Sequence, residues 1–288
     1  MLYHGRPGPD YDASFWQELH TLQDRIWPQM SARIEMARKL GVHWESETTP
    51  FAWVEDGRAL AHAGVIAHPL RLLGEDRVVG GLHAVCVDPE ARGRGLGRRC
   101  VEAALAWIDE RFDLTKLSTD SPAFYSRWSF SVLPTYRFIA QRAGGGGPAR
   151  PAMADDAALI RTLFSARTPT SNVYATRERG WLPIVNLSLQ GRLPGDVLVV
   201  PQRDFLIVAR QRGEILQLDD VVGPELPRLD DVLSAIPFRF EQVCYNFTPD
   251  RLDPGARPEP VPPEEGVMQV RGAWPELPPF AVSPVWQH

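Results

Sequence analysis

The chain of 288 residues is 44% hydrophobic and 23% charged, so it has enough apolar sequence for one large or two ordinary domains and is neither disordered nor fibrous. Its 31 Lys and Arg residues against 36 Asp and Glu residues give a net charge of -5, which does not provide the basic surface of a general nucleic-acid binder. Three widely separated cysteines, with no clustered Cys or His spacing, predict no disulfide framework, no metal site and a cytoplasmic location. No apolar run approaches the roughly 20 residues needed to cross a bilayer, so no membrane partner is expected.

The first segments are predicted to be two helices followed by a hairpin. Apolar residues recur at helical spacing from Ser14, and Pro28 should break or kink this helix before a second helical stripe begins. The dipeptide Asp56-Gly57 accepts the positive φ angles of a tight two-residue turn and therefore predicts a hairpin around it. A second turn leads into a strand over 78–87, which is rich in β-branched and small residues.

The next segments form a unit of strand, glycine-rich turn and helix. Apolar residues repeat at three and four positions over 95–112, which is typical of an amphipathic helix. A short strand at 113–118, a short helix at 122–128 and a strand at 131–140 are predicted to follow. The glycine-rich run after them disfavours regular structure, so the sequence predicts a linker at 143–150.

This linker divides the chain into two predicted domains, 1–142 and 151–288. The second is predicted to contain helices near 155–165 and 171–180, then a strand meander, a helix, a further strand and a proline-rich tail. Because this order of helices and strands resembles that of the first half, we expect a structural duplication without a residue-level repeat. The predicted fold class is α/β in the α+β sense: mixed, mostly antiparallel sheets flanked by helices, in tandem.

The segment 85–99 carries the functional argument. A helix start leaves unpaired backbone N–H groups and adds the positive end of the helix dipole, which suits an anionic phosphate. Gly93, Gly95 and Gly97 let the backbone approach such a group closely. Nearby arginines add guanidinium groups suited to phosphate oxygens: Arg92, Arg94, Arg98 and Arg99.

Other phosphate-binding turns fit this segment less well. A dinucleotide fold needs its glycine turn in an early strand-helix-strand unit, whereas this turn follows a hairpin and a late strand. A P-loop ends in Gly-Lys-Ser or Gly-Lys-Thr, which does not occur at this turn. The remaining alternative is a glycine-rich loop whose arginines are simply solvated.

The sequence Val85-x-Val87-x-Pro89-x-x-Arg92-Gly93-x-Gly95-x-Gly97 resembles motif A of the GNAT superfamily of acyl-CoA-dependent N-acyltransferases. The segment 124–130 is similar to that family's Phe-Tyr-x-x-x-Gly-Phe signature, with Ser129 where the family usually has glycine. Together the two motifs extend the resemblance over about residues 10 to 140.

The resemblance implies acetyl-CoA as co-substrate, with its pyrophosphate on the amides of the turn and its pantetheine arm along the preceding strand. The implied coenzyme-binding residues are Val85, Cys86, Val87, Arg92, Gly93, Arg94, Gly95, Leu96, Gly97 and Arg98. Cys86 has no adjacent base, so it is expected to pack rather than to carry an acyl group.

Acetyl transfer to an amine needs a base for the amine and an acid for the departing thiolate. Tyr125 matches the family's tyrosine that faces the coenzyme sulfur and is the candidate acid; the alternative is an ordinary aromatic residue of the core. Since side chains alternate along a strand, His83 is expected on the same face as Val85 and is the candidate base, although a core histidine is equally compatible. Weaker candidates for substrate contact are Glu45 and Glu47.

The second domain has no glycine-arginine turn of its own, so we expect a degenerate acyltransferase-like domain that no longer binds coenzyme. It would wall the substrate cleft or form the surface of a homodimer. The terminal carboxylate of His288 is a further candidate base if the tail folds back into the cleft, the default being a frayed end.

The sequence therefore predicts an N-acetyltransferase that moves an acetyl group from acetyl-CoA to a primary amine by direct attack in a ternary complex. The alternatives are a non-catalytic acyl-CoA-binding sensor and a purely structural tandem domain. Nothing in the loops that would cover the cleft identifies the acceptor amine.

Overall fold

The structure is a computed structural model, which describes residues 1–3, 8–177 and 180–287. The described residues form seven α-helices with the following bounds: α1 Ala13–Ile26, α2 Met30–Lys39, α3 Leu96–Asp109, α4 Pro122–Tyr125, α5 Ala157–Ser165, α6 Trp181–Leu189 and α7 Leu229–Ala235. None of these helices is long and apolar enough to cross a membrane.

The strands of the described residues belong to two sheets. Their bounds are β1 Leu2–Tyr3, β2 Thr49–Glu55, β3 Arg58–Leu72, β4 Glu75–Val87, β5 Leu114–Thr119, β6 Ser131–Leu133, β7 Tyr136–Gly144, β8 Arg150–Pro151, β9 Tyr174–Thr176, β10 Val197–Val199, β11 Leu206–Arg212, β12 Ile215–Val222, β13 Phe240–Tyr245, β14 Arg257–Pro260 and β15 Val267–Gly272. The first sheet has the order β1-β2-β3-β4-β5-β15-β6, with β9 also paired to β3; the second has the order β14-β7-β13-β12-β11-β10-β8.

Each sheet contains one parallel pair among antiparallel ones. In the first sheet β4 runs parallel to β5, and in the second β12 runs parallel to β13. Every other pairing of the described strands is antiparallel. The predicted fold class, mixed and mostly antiparallel sheets flanked by helices, is therefore confirmed.

The two sheets exchange strands across the predicted linker. The single strand predicted over 131–140 is two strands, because β6 stays in the first sheet while β7 pairs with β13 in the second. Conversely, β15 lies between β5 and β6 and pairs with both, so that Val270 faces Lys116 on one side and Ser131 on the other. The predicted boundary at 142 thus falls inside a strand of the second sheet, and the run 143–150 does not separate the sheets.

Local signals set several helix and turn positions. Asp12 caps α1: its carboxylate accepts a hydrogen bond of 2.8 Å from the Phe15 amide. The Asp56-Gly57 hairpin is confirmed, with φ angles of 48° and 77° at the two positions. The helix predicted over 171–180 is wrong: this segment contains the short strand β9, which pairs with the end of β3, and α6 begins only after it.

Hydrophobic clusters fix the helices on the sheets. One face of α3 packs on the first sheet through Val101, Leu105 and Ile108, and the other face of that sheet is covered by α1. A third cluster joins the two halves, because Ile34 of α2 and the nearby Trp44 pack with α5, α6 and the second sheet. Residues from both halves therefore meet beside Ala84 of β4.

Candidate active site

A cleft opens where β4 and β5 diverge. The two strands pair only at Gly80 with Thr115 and at Gly81 with Lys116, so the rest of β4 moves away from β5. The gap of about 1060 Å³ is lined by 82–87 of β4 and by 118–121, at the end of β5 and just beyond it. All predicted coenzyme residues except Arg94 line this cleft, and so do His83 and Tyr125.

A bulge in β4 lies at the mouth of the cleft. His62 of β3 faces Cys86 and Gly64 faces His83, so β4 has one residue more than β3 between these pairs. The extra residue accompanies a positive φ of 48° at Ala84. Because the bulge shifts the alternation by one, His83 shares its face with Cys86, and the expectation that it shares a face with Val85 is wrong.

His83 is buried at the junction of two cavities. Its Nε2 atom is 2.8 Å from the Oγ1 of Thr48, and its ring meets Trp44 edge-to-face at 4.9 Å between centroids. The ring lies over Gly64, where a Cβ atom would come within 2.5 Å of Nε2. The position of His83 therefore depends on the hydroxyl of Thr48 and on the absence of a side chain at Gly64. The sequence pattern predicts neither contact.

His62 is a buried residue of the site that sequence reasoning missed. Its Nδ1 atom is 2.8 Å from the carbonyl oxygen of Ala84, so Nδ1 carries the hydrogen and donates it to the bulge. Burial lowers the pKa of His62 from 6.5 to about 4, and the side chain is therefore neutral at pH 7. Residues 59–66 of β3 are all buried, so no alternating pattern distinguishes His62, and no local signal indicates its partner.

The glycine turn forms the far end of the cleft. Gly93 and Gly95 have φ angles of 79° and 75°, and a Cβ atom added at either position would meet no heavy atom within 4 Å. Glycine is therefore required at both positions by the left-handed backbone conformation, and not by a lack of space for a side chain. Gly95 is the N-cap of α3, whose first amides lack partners within the helix. The positive end of the helix dipole therefore faces an open cavity.

Buried Asp88 anchors the start of this turn. Its side chain accepts a hydrogen bond of 3.0 Å from the Glu90 amide and forms an ion pair of 2.6 Å with Arg25 of α1. The turn is thus tied to the helix on the opposite face of the sheet. Such a carboxylate, nearly inaccessible to solvent, holds the backbone more firmly than a surface ion pair does.

The predicted arginines differ in position. Arg92 and Arg98 line the cleft, whereas Arg94 forms an exposed ion pair of 2.7 Å with Glu55 outside it. Arg98 is also paired with Glu102, one helical turn away, at 2.7 Å. Exposed pairs of this kind contribute about 0–1 kcal/mol, so an anionic ligand competes with them easily.

Tyr125 lies on the opposite wall from β4. Its ring packs edge-to-face against Phe124 and Phe130, and the side chain is 8% exposed. Burial, with smaller effects of Asp120 and Cys86, raises the pKa of Tyr125 to about 12. The hydroxyl is therefore protonated at neutral pH and is available as a proton donor.

The turn after Tyr125 forms although it contains no glycine. Ser129 adopts the left-handed conformation with φ of 62°, and its amide donates to the carbonyl of Ser126 at 3.2 Å. Arg127 in this turn also lines the cleft and lies over the ring of Phe124 at 5.6 Å. Arg127 is a further cationic residue of the site, which its place in the second motif could have indicated.

A smaller pocket of about 230 Å³ adjoins the cleft at His83 and Ala84. It is formed by both halves of the chain, with the following lining: Gln23, Trp27, Met30, Ile34, Trp44, His83, Ala84, Asn186, Leu189 and Gln287. Asn186 of α6 donates to the carbonyl oxygens of Val285 and Gln287, so the tail folds back onto this pocket. His288 itself lies outside the described residues.

The two glutamates suggested for substrate contact line neither cavity among the described residues. Glu45 is paired with Arg38 and lies 3.6 Å from His20. Glu47 is exposed, although partial burial of its carboxyl group raises its pKa. Within the described part of the chain, no group of three His, Cys, Asp or Glu side chains could hold a metal ion.

The sequence model of the acetyltransferase (GNAT) family matches residues 16–130. No curated protein matches the sequence. A solved structure from Enterococcus faecalis V583, described as a probable N-acyltransferase, covers 94% of the chain and 71% of its own, with a TM-score of 0.62 and 13% identity.

Two further solved structures are GCN5-related N-acetyltransferases. That from Anabaena variabilis ATCC 29413 has a TM-score of 0.56 and 10% identity and covers 94% of this chain and 72% of its own. That from Kribbella flavida has a TM-score of 0.54 and 16% identity and covers 94% of this chain and 70% of its own. The shared fold thus extends over both halves of the chain.

Proposed function

We propose that the protein transfers the acetyl group of acetyl-CoA to a primary amine by direct attack in a ternary complex, since the sequence model of the acetyltransferase (GNAT) family matches residues 16–130. The observation that carries this proposal is the cleft between the diverging strands β4 and β5. It has a helix N-terminus at one end, a buried protonated tyrosine on one wall and a histidine at its mouth.

The coenzyme would lie along β4. The amides of the turn before α3 bind the pyrophosphate, and Arg92 and Arg98 add charge beside it. The edge of β4 that faces β5 has no strand partner over 82–87 among the described pairings. Its backbone groups are therefore available to the amides of the pantetheine arm, as in the addition of a strand to a sheet.

Acetyl-CoA supplies an acetyl thioester, which is attacked by the neutral amine of the acceptor. His83 takes a proton from the amine nitrogen, directly or through water, while the new C–N bond forms. As the C–S bond breaks, Tyr125 donates its phenolic proton to the thiolate. The raised pKa of Tyr125 means that the phenol still carries this proton when the reaction begins.

His62 supports the reacting geometry without touching substrate. Its hydrogen bond to the carbonyl of Ala84 stabilises the bulge, and the bulge turns His83 away from the face of Val85. His62 is therefore a positioning residue. The second half of the chain has a comparable supporting role, since Asn186 and Leu189 form one wall of the pocket next to His83.

The first test is the melting temperature with and without saturating acetyl-CoA. Ligand at 100 times its dissociation constant should add roughly 2.7 kcal/mol to the free energy of unfolding. Gly95→Asp should lose this shift, because a carboxylate would stand where the pyrophosphate binds. Gly57→Asp is the matched control, since Gly57 has nearly the same φ, 77° against 75°, and the same open surroundings in a hairpin turn.

The second test separates catalysis from binding. Release of free thiol from acetyl-CoA is measured with a panel of primary amines and without amine. Transfer faster than hydrolysis supports the proposal, and its loss in His83→Gln with an unchanged melting shift supports the role of His83. A melting shift without transfer to any amine would instead favour a coenzyme-binding sensor.

A further inference from the structure

The coenzyme cleft is lined by three arginines at two separate places. Arg92 and Arg98 lie at its far end, beside the amides that begin α3. Arg127 lies in the short helical segment Ser126–Trp128, on the wall that faces β4. Among the lining residues that the structure describes, the only carboxylate is that of Asp120. The cleft therefore presents positive charge both at the turn and on the facing wall.

The guanidinium group of Arg127 is held by aromatic rings. It lies 5.6 Å from the ring centroid of Phe124 and 5.5 Å from that of Trp128. A guanidinium group over a ring is attracted by the π electrons and keeps its N–H groups at the edge of its own plane. The residue is exposed, so these N–H groups are accessible to a ligand in the cleft. The rings preorganise Arg127 for an oxyanion, because less side-chain freedom is lost when the ligand binds.

Coenzyme A carries phosphate at two separate places, which are the pyrophosphate of its chain and a monophosphate on the 3′ oxygen of its ribose. The end of α3 suits the pyrophosphate, since its amides, Arg92 and Arg98 lie together there. The 3′-phosphate adds a charge of about −1.5 to −2 at pH 7 and needs a cation of its own. Arg127 is the arginine that remains for it among the described lining residues.

We infer that Arg127 binds the 3′-phosphate of coenzyme A and makes the donor site specific for acyl-CoA. Donors that lack this phosphate leave Arg127 without its ligand; they include thioesters of 3′-dephospho-CoA and the phosphopantetheine arm of an acyl-carrier protein. Arg127 thus determines specificity without contact to the reacting atoms. This inference rests on the proposed acetyl transfer for its coenzyme, but its claim about binding is tested without turnover.

The first experiment compares acetyl-CoA with acetyl-3′-dephospho-CoA as donors for the amine that the full chain acetylates fastest. In the wild type, kcat/KM should be about 10- to 100-fold higher for acetyl-CoA, as expected for hydrogen bonds between charged groups. Arg127→Gln should bring this ratio close to about 1, because it weakens only the contact to the 3′-phosphate. Arg127→Lys keeps the charge and should retain part of the preference.

Two further variants show which phosphate each arginine binds. Arg98→Gln should lower kcat/KM for both donors by the same factor, because both contain the pyrophosphate. Arg111→Gln is the matched control: Arg111 is also exposed and lies over an aromatic ring, that of Trp107 at 4.2 Å, but it lies outside the described lining of the cleft. This variant should leave kcat/KM for both donors unchanged.

Binding is measured separately, as the shift in melting temperature that each donor causes at equal concentration without any amine. A larger shift with acetyl-CoA that is lost in Arg127→Gln, without transfer to any amine, would contradict the proposed function and support the inference. Transfer with equal kcat/KM for the two donors would support the proposed function and overturn the inference. Equal weakening of both donors in Arg127→Gln, or an unchanged preference in that variant, would overturn the inference as well. No melting shift with either donor would overturn both.

Discussion

Gly97 of α3 lies directly against Val87 at the end of β4: a Cβ atom on Gly97 would come within 2.6 Å of the Cγ2 of Val87. This close approach brings the first amides of α3 to the end of the strand that forms the cleft. Gly97 is therefore required for space, whereas Gly93 and Gly95 are required for their backbone conformation.

Gly97→Ala should push the start of α3 away from β4. We expect a loss of about 1–3 kcal/mol in the free energy of unfolding, as for other overpacked sites, and weaker binding of acetyl-CoA. Urea unfolding and the coenzyme-induced melting shift measure the two effects. Gly195→Ala is the control, because Gly195 has open surroundings and no positive φ, and it should be neutral or slightly stabilising. Equal effects of the two variants would contradict the steric explanation.

Tyr125→Phe should lower kcat about 10²–10⁴-fold, the usual contribution of a general acid. The ring packs against Phe124 and Phe130, so the variant should keep its fold and its melting shift with acetyl-CoA. Tyr174→Phe removes the hydroxyl of another buried tyrosine, on β9, and should leave kcat unchanged. A normal kcat in Tyr125→Phe would show that another group protonates the thiolate.

His62 should make the protein sensitive to acid. Its pKa is about 4 in the folded state against 6.5 when exposed, so the unfolded chain takes up a proton first as the pH falls. The part of the free energy of unfolding that depends on neutral His62 is fully present above pH 6.5. It is lost between pH 6.5 and 4, and the loss is about 3 kcal/mol at most.

His62→Asn, in which the amide nitrogen can replace Nδ1 as donor to Ala84, should flatten this dependence. Urea unfolding between pH 4 and 7 measures it, with His43→Asn at an exposed histidine as control. The prediction fails if both variants keep the slope of the wild type. Because the donor is replaced, acetyl transfer at pH 7 should be affected far less by His62→Asn than by His62→Ala.

Ser129→Gly should stabilise the protein by about 0.5–1 kcal/mol. The left-handed conformation of Ser129 costs about 1–2 kcal/mol for a residue with a Cβ atom, and part of this gain is offset by the greater entropy of glycine in the unfolded chain. The midpoint of urea unfolding measures the difference. A lower midpoint would mean that the serine side chain makes a contribution larger than the strain.

The parts of the fold and of the site that follow from the sequence are those with a local cause. The hairpin at Asp56-Gly57 and the glycine turn before α3 need backbone conformations that particular residue types adopt, so their positions are visible in the sequence. Tyr125 can be identified because it lies in a motif at a known separation from the turn. The glycine turn and Tyr125 both line the cleft, whereas the hairpin lies outside it.

The remaining parts depend on pairings that no local pattern contains. Ala84 gives no sign of a positive φ, so regular alternation predicts the wrong face for His83. β7 belongs to the second sheet because it pairs with β13. The apolar pattern of a single strand does not show which strand it pairs with. The pocket beside His83 brings together residues of α1, α2, α6 and the tail, which are far apart in the chain.

The position of β15 has a consequence for the order in which the protein can acquire its structure. During synthesis, β5 and β6 emerge early, but the strand that joins them, Val267–Gly272, comes only after nearly all of the second sheet. The coenzyme cleft is therefore completed late, by contacts of high sequence separation, which slow folding. The two halves should unfold in a single cooperative transition, and damage far from the cleft in the second half should lower the amount of protein competent to bind coenzyme.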